Sequence, residues 1–163
     1  MRVLLTMFVI LTIVNGYILL NNIECNIPKI ISPCEDINLF LLQISQEVAS
    51  DLRQIGLPFY IGESSQATGT ICNKSDIYYA FTTSYSDSNN TDIDISNDLL
   101  GYPNTMYNVI LHEILHTLGL DHSKEPGLMS YALKTSWFGS IIDDCRKLWI
   151  SIDDFNGIVK SCF

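Results

Sequence analysis

The sequence predicts an α+β domain, and two observations carry that prediction. One segment repeats apolar residues at three- and four-residue spacing, as amphipathic helices do, and two later ones carry helix start and stop signals. Between the first two lie short runs rich in aromatic and β-branched residues, which suit strands. A chain of 163 residues has room for one such domain with its own core.

Residues 1–16, MRVLLTMFVILTIVNG, open with Arg2 and continue apolar from Val3 to Val14. The run is too short to span a bilayer comfortably. A charged start, a short apolar stretch and small residues at Val14 and Gly16 read as a cleaved secretory signal, the alternative being an uncleaved anchor. Residues 17–34, with Pro28, Pro33, Cys25 and Cys34, read as an irregular N-terminal arm. The main domain is expected over 35–163.

Its first helix is expected from Asp36 to Ile55, on the repeat Ile37, Phe40, Leu41, Ile44, Val48, Leu52 and Ile55. Gly56 and Pro58 end it. PFYIGE and DIYYAFTTSY follow as strands, and Ile93 and Ile95 mark a third, half-buried one. A second helix begins near Pro103, where proline is tolerated in the first turn, and stops at Gly119. A loop leads to about Trp137. The last helix covers Ser151 to Ser161, with Ser151 as cap and Asp153 and Asp154 in its first turn.

The chain carries 9 basic and 18 acidic residues, a net charge of −9, and loss of Arg2 with the leader makes it one unit more negative. That balance argues against nucleic acid or an anionic membrane as partner. All five cysteines follow the leader, so disulfides are expected in an oxidising compartment. Spacing leaves the connectivity open: Cys25–Cys34 is the most local pairing, and Cys145–Cys162 would staple the last helix. An odd count leaves one thiol over. No C-x-x-C is present, which argues against a thiolate zinc site. Asn73 and Asn89 head glycosylation sequons. Asp87, Asp92, Asp94 and Asp98 offer oxygen ligands for calcium, or form a solvated acidic face.

The chemistry concentrates in the second helix, at His112-Glu113-Ile114-Leu115-His116. Residues at i and i+4 share a helix face, so both imidazoles can bind one ion. Glu113 is rotated about 100° from His112, which lets it flank the metal without ligating it. Gly119 lets the chain turn so that His122 can return as a third ligand. Three protein ligands leave zinc an open position for water, as catalytic sites do. These are the three histidines of the chain, and chance placement at such spacing is improbable.

The run H-E-x-x-H-x-x-G-x-x-H over 112–122 resembles the metzincin zinc peptidases. Gly127-Leu128-Met129-Ser130 is similar to the family's methionine turn, which lies beneath the zinc. Ser123 after the third histidine, and Ser151-Ile-Asp-Asp-Phe-Asn-Gly-Ile-Val, look most like the matrixin branch. The resemblance implies a twisted, mostly parallel sheet with three helices, and a role for Asp153 and Asp154 in bracing the methionine turn and the N-terminal segment; simple helix-start electrostatics is the other reading of that pair. It also implies one Zn²⁺ and leaves Ca²⁺ open. Tyr131, two residues after Met129, looks more like the astacin and serralysin branches, where this tyrosine approaches the zinc. The matrixin pro-segment and the histidines of its second, structural zinc have no counterpart here.

The expected function is therefore that of a secreted endopeptidase acting on protein or peptide substrates. Glu113 would be the general base and Tyr131 a helper at the oxyanion. Substrate would pair with an edge strand near Ile77–Thr83. Val109, one turn before His112, would line a substrate pocket or pack in the core. A secreted binder that keeps the metal site, and an exopeptidase, are the competing readings. Intact Glu113 counts against the binder.

Overall fold

The computed structural model describes residues 18–19, 27–75, 79–85, 90–123, 128–130 and 141–162. Its strands are β1 (Ile18–Leu19), β2 (Lys29–Pro33), β3 (Phe59–Ile61), β4 (Gly69–Lys74), β5 (Ala80–Ser84), β6 (Thr91–Ser96) and β7 (Leu120–Asp121). Its helices are α1 (Leu39–Gln54), α2 (Pro103–Thr117) and α3 (Ile152–Cys162). The leader segment 1–16 lies outside the described residues.

The fold is α+β, with five strands in the order β3-β2-β4-β6-β5 and three helices. Strands β3, β2, β4 and β6 run parallel, and β5 pairs antiparallel with β6 at the edge. A separate two-stranded pair joins β1 to β7. Helices α1 and α2 pack against each other and cover the sheet, α1 at the β3 end and α2 over β5 and β6. Ile31, Ile71, Ile93 and Ile95 from the strands meet Leu41, Val48, Leu52, Ile110 and Ile114 in one fully buried core.

Each helix starts for a local reason. Asn38 caps α1 by accepting a bond from the Phe40 amide at 2.9 Å, so the helix begins later than the apolar repeat suggests. Its own amide is held by the Asn73 side chain at 2.8 Å. Pro103 opens α2, whose Thr105 amide donates to Asp143 Oδ1 at 2.9 Å. Ser151 caps α3, its hydroxyl accepting from the Asp154 amide at 3.0 Å. Helix α2 is buried from Thr105 to Leu115, as befits a helix enclosed on all sides.

Two expectations need correction, and one strand has no counterpart among them. Residues 29–33 belong to the sheet interior as β2, and are not part of an irregular arm. The central strand β4, GTICNK, gives no alternating signal in sequence; its place beside β2 and β6 comes from pairing. Neither local cysteine pairing forms. Cys34 bonds to Cys72, because the parallel register of β2 and β4 brings their Cα atoms to 5.2 Å. Cys162 is disulfide-bonded while Cys145 is a free, exposed thiol. Cys25 lies outside the described residues.

Candidate metal centre

His112 and His116 project from one face of α2, and Gly119 at φ 92° ends the helix and turns the chain. Strand β7 then carries the backbone to His122, whose amide donates to Asp121 Oδ1 at 2.7 Å. The Nε2 atom of His112 lies 3.1 Å from Nε2 of His116 and 3.1 Å from Nε2 of His122. The three ligand atoms lie within 4.8 Å of one another, close enough to share one ion.

The outer nitrogens decide the tautomers. His112 Nδ1 lies 2.9 Å from the Leu128 carbonyl, and His116 Nδ1 lies 2.7 Å from the Leu120 carbonyl. A carbonyl only accepts, so each Nδ1 carries the proton and each Nε2 presents a lone pair. Neutral imidazoles in this state have no proton to place between their Nε2 atoms. Lone pairs converging at 3.1 Å repel unless a cation lies between them. Tetrahedral zinc at its usual Zn–N distance spaces its nitrogen ligands about 3.3 Å apart, which this donor set fits. Burial keeps the His112 imidazole neutral, pushing its pKa down to about 4.

Glu113 points to the same cleft from the adjacent helix position and is only 8% exposed. Burial raises its pKa, opposed by a hydrogen bond from Thr82 and by the neighbouring His116 and His122. The Thr82 hydroxyl lies 2.5 Å from Glu113 Oε2 and 3.2 Å from the Glu113 carbonyl oxygen. The cleft, ≈ 420 Å³, runs between β5 and the end of α2, with Phe81 and Asp121 beside the imidazoles.

Among the described residues β5 pairs only with β6. Its register is bracketed by bonds from the Tyr85 amide to Asn90 and from the Ser96 amide to Tyr79. Bonding pairs alternate along antiparallel strands, so Phe81 and Thr83 face β6. The backbone groups of Ala80, Thr82 and Ser84 therefore face the outer edge.

Below the histidines, Leu128–Ser130 form a tight 3-10 turn with Met129 fully buried. Its position is set by two bonds, one from the Ser123 amide to the Met129 carbonyl at 3.0 Å and one from the Leu128 amide to Asp154 Oδ2 at 3.3 Å. Asp154 is buried and also accepts from the Ser151 hydroxyl at 2.8 Å, whereas Asp153 is exposed on the same helical turn. Bracing of the turn thus falls to Asp154 in this pair.

Other sequence candidates are placed apart from the site. Val109 is buried in the core and does not line the described cleft. Asp92 accepts from Thr70 and Tyr85, and Asp94 pairs with Lys74, so these carboxylates are committed to protein partners. Among the described residues the three histidines form the one group of three or more ligating side chains close enough to hold a metal. The Asn73 side-chain amide donates to Asn97 Oδ1 at 3.1 Å. Tyr131, Asn89, Asp87 and Gly127 lie outside the described residues. Thr82 was not singled out from sequence, because no local pattern says which strand residue will meet Glu113.

No protein-family model matches the chain, and no curated protein matches it. Among solved structures, one entitled "GM1 bound form of the ECX AB5 holotoxin" aligns at 15% identity and a TM-score of 0.38, covering 69% of this chain and 59% of that one. The chain thus spans less than two thirds of that relative, and a likeness at this level carries no argument about function.

Proposed function

We propose that the protein is a secreted, zinc-dependent endopeptidase of the metzincin type, matrixin-like in its C-terminal helix. The observation that carries the reading is the convergence of three Nε2 atoms beside buried Glu113, in a cleft bordered by β5, whose outer edge is unpaired among the described residues. His112, His116 and His122 would hold the metal. Zinc, when bound, supplies Lewis acidity that acidifies water and polarises a carbonyl.

The residues of the chain do the rest. An extended peptide pairs with the outer edge of β5, where Ala80, Thr82 and Ser84 present backbone donors and acceptors. Glu113, its pKa raised by burial, acts as the carboxylate, taking a proton from the attacking water and passing it to the leaving amine. Tyr131 is proposed, on sequence position alone, as a donor to the developing oxyanion. Asp154 and Leu128 hold His112 in its ligating tautomer. The paired cysteines and the leader segment support secretion.

The test is incubation of the purified, zinc-loaded protein with a mixed peptide library, with and without a chelator. Internal cuts abolished by the chelator are expected. Trimming from one terminus would replace the reading with an exopeptidase. Stoichiometric zinc with no cleavage would replace it with a metal-dependent binder.

A further inference from the structure

We propose that Thr82 is a positioning residue for Glu113, tying the proton-transfer carboxylate to the strand on which substrate docks. The inference rests on the endopeptidase reading above. It starts from a problem of reach. A glutamate on a helix has three rotatable bonds, and Glu113 must hold its carboxylate beside the metal without swinging onto it. Helix α2 fixes its Cα, but nothing in the helix fixes its far end.

Thr82 supplies that restraint from the neighbouring strand. Its hydroxyl lies 2.5 Å from Glu113 Oε2, a length typical of a hydroxyl donating to a carboxylate. The bond is half-buried, where a hydrogen bond is stronger than in water. Threonine is stiff at χ1, so the donor is itself held in place. The Glu113 carbonyl oxygen, at 3.2 Å, gives the same hydroxyl a second acceptor. It stays partnered if the carboxylate ceases to accept.

The backbone of Thr82 does a second job. Register places its amide and carbonyl on the outer edge of β5, where an extended peptide would pair. One residue thus touches the base through its side chain and would meet substrate through its main chain. A shift of β5 on docking moves Thr82 and carries the Glu113 carboxylate with it. Misplacing a reacting group by about 1 Å can lower the rate about 100-fold, so the tie is worth keeping.

The test compares the zinc-loaded wild type with Thr82→Val and Thr82→Ser. Valine keeps the branched shape and removes the hydroxyl; serine keeps the hydroxyl. In crystal structures, the Glu113 carboxylate is expected to leave its place in the valine variant and keep it in the serine variant. On one peptide, the valine variant should lose about 10- to 100-fold in kcat with KM within about twofold, and serine should restore most of the rate. Unchanged zinc content and melting temperature separate this from a folding defect. If the valine variant does not fold, Thr82→Ala carries the same comparison. An unmoved Glu113 carboxylate without the hydroxyl, an effect confined to KM, or a serine variant as slow as valine would overturn the proposal. If the wild type cleaves nothing, the endopeptidase reading fails, while the position of Glu113 in the crystal structures still decides the tie to Thr82.

Discussion

His112 Nδ1 lies 2.9 Å from the Leu128 carbonyl oxygen, which joins the helix bearing two of the imidazoles to the turn bearing Met129. The Leu128 amide in turn donates to Asp154 at 3.3 Å. The backbone of one residue, Leu128, thus connects α3, the turn and α2. The arrangement makes the metal centre a tertiary object, and several measurable consequences come from it.

The first concerns ligand count. His122 is the most exposed of the three imidazoles, with 69% of its side chain accessible, and it arrives from outside the helix. Its loss should leave the helical pair intact but too weak to retain zinc. Metal analysis of His122→Ala after dialysis is expected to show little zinc. Full occupancy would rule out a three-histidine site.

Glu113→Gln separates binding from chemistry. Glutamine keeps the shape and can still accept from Thr82 through its carbonyl, but it cannot take a proton from water. Zinc content should be retained. Peptide cleavage should fall by about 10²–10⁴-fold, the usual contribution of a general base. A variant within about tenfold of wild type would show that another group does this work.

Asp154 accepts from the Leu128 amide and from both the amide and the hydroxyl of Ser151. Asp154→Ala leaves those donors without their acceptor, at a cost of about 1–3 kcal/mol for a buried group. The Leu128 carbonyl then holds His112 less firmly, so zinc affinity should fall as well, by less than the roughly 10- to 100-fold typical of partners that touch a ligand directly. Denaturant unfolding and chelator competition measure the two effects. Loss of stability with unaltered zinc affinity would show that the turn does not govern the site.

Lys29 predicts a pH dependence. Its side chain is buried on β2, with Nζ donating to the Thr91 hydroxyl at 2.9 Å. Burial lowers its pKa from the ordinary lysine value of 10.5 to about 8. Between those values the unfolded chain binds more protons than the folded one, so this group makes stability rise with pH from about 8 to 10.5. Lys29→Met should remove that rise. The wild-type denaturation midpoint should gain on the variant's as pH rises through the interval, and a constant difference would contradict the assignment.

Much of the helical framework and the ligand constellation was legible in the sequence. The i, i+4 spacing of His112 and His116 is geometry internal to one helix, and Gly119 marks the turn by its own backbone freedom. Pro103 and Ser151 likewise announce helix starts through bonds or constraints within a few residues, whereas the apolar repeat places the start of α1 at Asp36, ahead of its Asn38 cap. What lies between segments was decided by tertiary structure alone. Strand β4 is unremarkable as GTICNK until parallel pairing on both sides buries Ile71, and the close approach at Gly69, where a Cβ would meet the Thr91 carbonyl oxygen at 1.7 Å, appears only then. Cys34 finds Cys72 through strand register and not through nearness in the chain. Asp153 and Asp154 look alike in sequence, yet one turns outward and one is buried against Leu128. Thr82 meets Glu113 because β5 packs on α2, 31 residues away. Periodicity reports which face of an element is buried; which partner that face meets depends on how distant segments share a core.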